Sequence, residues 1–171
     1  MGGLNLAPVN IRQYLHTLTG GNEGLSEKDL SESDRATLMQ AVQKVMQQSG
    51  QESGTIGYGD YGDTIATHDN MGLLDLLYRS ATDPAFRLET TLGMAKYNVD
   101  PQGNVIVSDQ YDFNADPAAV QQAIQQKGGL GLALEGYQHS GWMGLLNALG
   151  NMARPGETGT PYSLNLGQLK R

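Results

Sequence analysis

A chain of 171 residues, 39% of them hydrophobic, is long enough to bury a core and fits a single domain. Its 18 acidic residues outnumber its 11 basic ones, and the net charge of −7 opposes binding to nucleic acid or to anionic lipid. The chain has no cysteine, which excludes disulfides, thiolate catalysis and cysteine zinc sites. The 23 glycines predict long, irregular connections, and no motif calls for a cofactor or a metal.

The ends of the chain are predicted to be extended. Residues 1–30 and 151–171 are expected to form arms of one α+β domain that covers residues 1–171. No basic and apolar signal peptide begins the chain, and no apolar run approaches the roughly 20 residues that span a bilayer.

A helix is predicted from residue 33 to residue 48. Ser31 or Ser33 supplies the N-cap, and Gly50 follows the last turn, where a glycine accepts a positive φ at low cost. The residues at helical spacing that would face a core are Leu38, Val42, Val45 and Met46.

A glycine-rich loop over residues 54–64 has two interpretations. The loop could be a ligand site, in which Tyr58 and Tyr61 stack and Asp60 and Asp63 accept hydrogen bonds or bind a cation. Alternatively, it is a turn whose tyrosines anchor it to the core. Its spacing matches neither a calcium loop nor a phosphate loop. Four nearby residues could hold a metal by composition, but they lack a geometric signature: Asp60, Asp63, His68 and Asp69.

Two further helices are predicted on either side of a hairpin. The first covers residues 70–80, is capped by Asp69 or Asn70, and is expected to be buried because leucine dominates it. The second covers residues 117–126, begins at Asp116-Pro117 and stops at Gly128-Gly129.

The hairpin organises the predicted sheet. A β-prone run ends at Val99, Asp100–Gly103 forms the turn, and a second run covers residues 104–114. Strand alternation places Asp109 and Asp112 on opposite faces, which argues against a catalytic carboxylate pair. The same alternation makes Tyr111 and Phe113 core anchors and gives Asp109 a buried hydrogen-bonding role.

The apolar, glycine-interrupted stretch from residue 130 to residue 150 has two interpretations. It forms either a core helix pair broken near His139-Ser140-Gly141 or a surface for a partner or, transiently, a membrane. The alternating tail then adds an edge strand or reaches a neighbouring subunit. The candidate partner-binding residues are Trp142, Met143, Leu145, Leu146, Tyr162 and Leu164.

Three short motifs together resemble a module of bacteriophage virion proteins. They are Tyr58-x-Asp60-Tyr61-Gly62, Leu92-Gly93 and Gly103-x-Val105-x-Val107-x-Asp109-x-Tyr111-Asp112-Phe113-Asn114. The resemblance implies a non-enzymatic virion component, structural or part of the tail or ejection machinery. Its partners would be other virion proteins or copies of itself, and it would lie in the virion after assembly in the host cytoplasm.

The run Asp109-x-Tyr111-Asp112 is also similar to the first half of a motif of the colicin M-type bacteriocins. That resemblance implies a hydrolase of a lipid-linked peptidoglycan precursor, with Asp109, Tyr111 and Asp112 as catalytic candidates and His68 as a possible base. The second half of the motif, His-Arg, is replaced by Ala118-Ala119. A third alternative is a small regulatory protein that binds through the surface around Trp142.

Overall fold

The computed structural model of the chain describes residues 8–11, 25–62, 71–111, 117–153 and 160–169. The helices are α1 (Glu32–Ser49), α2 (Leu73–Thr82), α3 (Pro84–Leu92) and α4 (Pro117–Ala153), with a short 3-10 helix at Glu27–Asp29. The strands are β1 (Ser53–Ile56), β2 (Ala95–Val99), β3 (Asn104–Tyr111) and β4 (Thr160–Gln168). They form an antiparallel sheet in the order β1-β2-β3-β4, so the predicted α+β class is confirmed.

The central hairpin has the predicted turn. β2 ends at Val99 and β3 begins at Asn104, and Tyr97 pairs with Val107. The Oδ1 atom of Asp100 accepts hydrogen bonds from the backbone N–H of Gln102 at 2.9 Å and of Asn104 at 2.8 Å. The carboxylate therefore closes the turn by satisfying backbone donors that the strands leave unpaired.

The C-terminal strand completes the sheet. β4 pairs with β3, placing Leu164 opposite Val107 and Tyr162 opposite Asp109. Residues 160–168 therefore belong to the domain as an edge strand rather than to an arm, as the edge-strand alternative predicted. Within the predicted N-terminal arm, Val9 is also buried.

One face of the sheet packs against α1 and α3. Because side chains alternate along a strand, Val105 and Val107 share this face with Asp109. The buried side chains of this core include Leu25, Leu30, Leu38, Val42, Ile56, Leu88, Leu92, Tyr97, Val105, Val107, Tyr162 and Leu164.

α1 begins and ends as its sequence predicts. The Ser31 hydroxyl accepts from the backbone N–H of Asp34 at 3.1 Å, and the Asp34 carboxylate accepts from the Ser31 backbone N–H at 3.1 Å, which forms a capping box. Gly50 ends the helix with a φ of +69°.

The second predicted helix is shifted and is followed by a third. α2 begins after Gly72, so neither Asp69 nor Asn70 is its N-cap. α3 was not predicted, yet it has a clear start signal: the Asp83 side chain accepts from the Phe86 backbone N–H at 3.1 Å, and Pro84 occupies the first turn. A second Asp-Pro pair, Asp116-Pro117, correctly predicted the start of α4.

α4 is helical from Pro117 to Ala153 but is not a straight rod. Gly128 has a φ of +71°, so the predicted stop is a break in the helix rather than its end. A Cβ on Gly129 would lie 3.2 Å from Met152 Sδ, although a straight helix would separate residues 129 and 152 by about 35 Å. The chain therefore reverses direction between them, and we call residues 129–153 the α4 hairpin. Residues 129 and 152 are centred between residues 140 and 141, and so are the buried residues Ala133 and Ala148. This centre coincides with the predicted break at residues 139–141.

Candidate functional site

The structure describes the predicted catalytic residues only in part. Asp109 is half-buried on the core face of β3, paired across the ladder with Tyr162 of β4. The side chain of Tyr111 and all of Asp112 and His68 lie outside the described residues. No group of three or more His, Cys, Asp or Glu side chains that could hold a metal is found within the described ranges.

The glycine-rich loop is a turn built by its own aspartate. The Asp60 carboxylate accepts from the Gly57 backbone N–H at 2.8 Å, and Lys44 Nζ lies 3.7 Å from its Oδ1. Gly59 has a φ of +84°, and its N–H donates to the buried Glu89 carboxylate at 3.2 Å. The loop is thereby fastened to α3. Asp63 and Asp69 lie outside the described residues.

Below this turn lies a cluster of buried phenols. The Tyr61 hydroxyl donates to the Gly93 carbonyl at 3.0 Å, and burial, followed by the nearby Tyr162 and Glu89, raises the pKa of Tyr61. Burial also raises the pKa of Tyr162, with Asp109 adding to the shift. The Tyr162 hydroxyl has no hydrogen-bond partner among the described residues.

This cluster suits anchoring better than proton transfer. A general acid or base works best when its pKa lies near the operating pH, whereas both phenols are shifted farther above neutrality. Tyr61 therefore acts as the anchor that the turn interpretation predicted, while Tyr58 remains 55% exposed.

The most unusual surface of the described molecule is the outer face of α2. The sequence predicted a buried helix, but only Leu76 and Ser80 are fully buried. The other large apolar side chains of α2 are between 41% and 82% exposed: Leu73, Leu74, Leu77 and Tyr78. We call these four residues the α2 face. The prediction of burial is wrong because α2 contacts the body along one narrow side only.

The inner side of α2 is held firmly. Leu76 packs with Met71 and Phe86, and the Arg79 guanidinium lies 4.5 Å from the centre of the Phe86 ring. The Asn10 amide donates to the Ser80 hydroxyl at 2.8 Å. These contacts fix which side of the helix points outward.

The predicted partner-binding residues fall into two groups. Tyr162 and Leu164 lie in the chain's own core, so their side chains are not available to a partner in this fold. Leu145 is half-buried in the α4 hairpin. The side chains of Trp142, Met143 and Leu146 lie outside the described residues, although their backbone is helical.

The hairpin does expose a different apolar stripe. Leu130, Leu134 and Tyr137 are 77%, 52% and 44% exposed, and they lie on one side of the helix because their spacing is i, i+4, i+7. Sequence reasoning placed partner contacts in this stretch but missed these three residues. Their helical spacing was the signal that could have found them.

A buried ion pair was also missed. Arg87 Nη2 lies 2.8 Å from Asp34 Oδ1, while Arg87 Nη1 donates to the Ser80 carbonyl at 3.0 Å. The other oxygen of Asp34 accepts from Ser31. The pair therefore joins α1, α2 and α3, and its polar groups are satisfied.

Comparisons with protein-family models, curated proteins and solved structures found no match to this chain. The resemblances to phage virion proteins and to colicin M-type bacteriocins therefore stay predictions. Among the described helices, none is long and apolar enough to cross a membrane.

Proposed function

We propose that this chain is a non-enzymatic component of a bacteriophage particle, structural or part of its ejection apparatus, that contacts neighbouring proteins through the α2 face. The observation that carries the assembly role is the set of four large apolar side chains exposed on one helix, Leu73, Leu74, Leu77 and Tyr78. The assignment of the chain to a bacteriophage particle rests on the motif resemblance.

The spacing of the α2 face favours a binding surface. Leu73 and Leu77 are one turn apart, as are Leu74 and Tyr78, so the four side chains form a continuous strip. Exposed apolar residues scattered singly are ordinary, but a contiguous group marks an interaction site. A leucine side chain gains about 1.5–3 kcal/mol when it moves from water into an apolar contact.

The support beneath the strip favours recognition by a partner without refolding. Leu76, Ser80 and Arg79 hold the inner side of α2 to the body. Because that inner side is anchored, the outer side is presented in one orientation, which lowers the entropy lost on binding. The partners that suit this surface are other virion proteins or copies of the chain.

The hydrolase alternative gains no support from the described residues. Asp109 pairs with Tyr162 in the sheet, and burial raises the pKa of the Tyr162 phenol away from the pH range of acid-base catalysis.

The test is incorporation into particles. The organism that encodes the chain is made to express either the wild type or the α2 variant, Leu74→Glu with Tyr78→Glu. Particles are purified from each culture, and the amount of the chain in them is measured by mass spectrometry. A control with the same added charge is Gln47→Glu with Gln48→Glu, on the exposed side of α1.

We expect the wild type and the α1 control in the particles and the α2 variant in the soluble fraction. Circular dichroism of the purified variants checks that each is folded. Particles that lack the wild-type chain would overturn the virion assignment, and equal incorporation of the α2 variant would overturn the role of the α2 face.

A further inference from the structure

We infer that the α4 hairpin is a dimerisation element, in which the exposed stripe of Leu130, Leu134 and Tyr137 packs against the same stripe of a second copy to form a four-helix bundle. The inference rests on the proposed assembly function and names the partner of a second surface, but it is tested separately.

The exposed stripe and the inner side of the hairpin face different directions. Gly129 faces Met152 on the returning arm of the hairpin, and the buried Ala133 lies one turn further along on the same side of the helix. At 3.6 residues per turn, the mean direction of Leu130, Leu134 and Tyr137 lies about 90° from the direction of Gly129 and Ala133. A helix in a square four-helix bundle contacts two neighbours in directions about that far apart. One neighbour is present within the hairpin, and the stripe points toward the position of the other.

Within the described ranges, the sheet and α1–α3 do not occupy the position of this second neighbour. Among the described residues, α4 makes no extensive contact with the sheet or with α1–α3. Where the inner side of the hairpin is described, a glycine lies against Met152, and Ala133 and Ala148 are buried. The bulky side chains of the stripe are left facing outward.

α4 carries no net charge, unlike the rest of the chain. Over Pro117–Ala153 the formal charges are those of Lys127 and Glu135, and these two form an ion pair with an N–O distance of 2.7 Å. The hairpin is therefore neutral, and the rest of the chain carries the whole net charge of −7. Two copies repel each other through their bodies, and the neutral hairpin is where they can approach at least electrostatic cost.

A twofold axis follows from the use of one stripe by both copies. An isologous contact of this kind closes at two subunits, so it predicts a dimer and not a filament. The α2 face stays free in that dimer to contact other proteins of the particle.

The first experiment is sedimentation velocity of the full chain over a range of concentrations. We expect a monomer–dimer equilibrium for the wild type and for the α1 control Gln47→Glu with Gln48→Glu. In Leu130→Glu with Leu134→Glu, which adds the same charge, the dissociation constant should rise at least about tenfold. A wild type that stays monomeric at its solubility limit would overturn the inference.

The second experiment uses the natural absence of cysteine. A disulfide forms only when two Cα atoms come within about 7 Å, so Leu134→Cys should give a covalent dimer on mild oxidation, and Gln47→Cys on α1 should not. This variant keeps the stripe nearly intact, so it answers the question even if the double glutamate variant unfolds. Equal cross-linking of both variants would overturn the inference.

The outcomes separate the two proposals. If the dimer fails to form but the chain enters particles, the hairpin inference is wrong and the proposed function stands. If the dimer forms but the chain is absent from particles, the proposed virion role is wrong and the hairpin pairing stands.

Discussion

α2 and α3 are consecutive helices joined at Asp83, and their burial is the reverse of their composition. α2 is rich in leucine, yet Leu74 is 82% exposed. α3 contains Arg87 and Glu89, and both are buried, at 7% and 2% exposure. The position of each helix in the fold decides burial here, because α3 contacts both α1 and the glycine-rich turn, while α2 touches the body along one side.

The difference shows what each helix is for. Two polar side chains of α3 have partners that offset part of the cost of burial: Arg87 with Asp34, and the Oε1 atom of Glu89 with the backbone N–H of Gly59 in the glycine-rich turn. The apolar side chains of α2 have no such compensation from the described fold. α3 therefore contributes to the stability of the domain, whereas α2 leaves apolar surface exposed.

The largest expected effect comes from breaking the buried pair. Arg87→Ala leaves the Asp34 carboxylate, whose side chain is only 3% exposed, without its cation, and the free energy of unfolding should fall by about 3–5 kcal/mol. Urea unfolding followed by circular dichroism measures the loss. The control is Lys44→Ala, which breaks the exposed pair with Asp60 at 3.7 Å and should cost less than about 1 kcal/mol. Similar losses in both variants would contradict the distinction between the two pairs.

The second prediction uses two leucines in the same helix. Leu76 is 1% exposed, so Leu76→Ala removes a packed side chain and should cost about 2–5 kcal/mol. Leu74 is 82% exposed, and Leu74→Ala should change the stability of the isolated chain by no more than about 0.5 kcal/mol. Thermal unfolding of the two variants at low protein concentration makes the comparison. A large loss in Leu74→Ala would mean that the α2 face is covered within the chain.

Local chemistry predicted the parts of the fold that depend on neighbours in sequence. The capping box of Ser31, the turn at Asp100 and the break at Gly128 each follow from a few adjacent residues. The missed helix α3 also carried a local signal, Asp83-Pro84, which was as clear as the Asp-Pro pair that begins α4.

Contacts between residues far apart in the sequence could not be predicted from local signals. The partner of Arg87 is 53 residues away, and nothing near either residue reveals the pair. A leucine-rich helix has the same sequence pattern whether it packs on a core or on a partner. The exposure of Leu74 therefore could not be predicted from the sequence of α2 alone. For this reason the predicted site residues Tyr162 and Leu164 proved to be core, while the exposed stripe lay elsewhere.

The third prediction concerns the end of α3. Gly93 has a φ of +59°, and a Cβ there would lie 3.2 Å from the Tyr58 hydroxyl. Gly93→Ala should therefore cost about 1–3 kcal/mol in the free energy of unfolding, through backbone strain at the residue whose carbonyl accepts from Tyr61. Gly57→Ala is the control, since its nearest neighbour would be Asp60 at 3.9 Å. Chemical denaturation should rank the two variants in that order.

The smallest expected effect concerns the carboxylate of Asp100, which lies outside the core, in contrast to that of Asp34. Hydrogen bonds from the side chain and backbone of Asn104 lower the pKa of Asp100. A group with a lowered pKa stabilises the fold fully above its unfolded value, about 3.9, and this contribution is lost as the pH falls through the folded value. The contribution is therefore present at neutral pH and disappears only in acid.

Asn104→Ala tests this cause directly. It removes the amide donor that lies 2.9 Å from Asp100 Oδ2 but keeps the backbone donors, so the pKa of Asp100 should rise toward its ordinary value without returning to it completely. NMR titration of the Asp100 side-chain carboxyl carbon measures the pKa. Gln102→Ala should leave it unchanged, because Gln102 donates through its backbone N–H and not through its side chain. If the two variants shifted the pKa equally, the turn would be responding to a general loss of order, and the specific hydrogen bond would not be the cause.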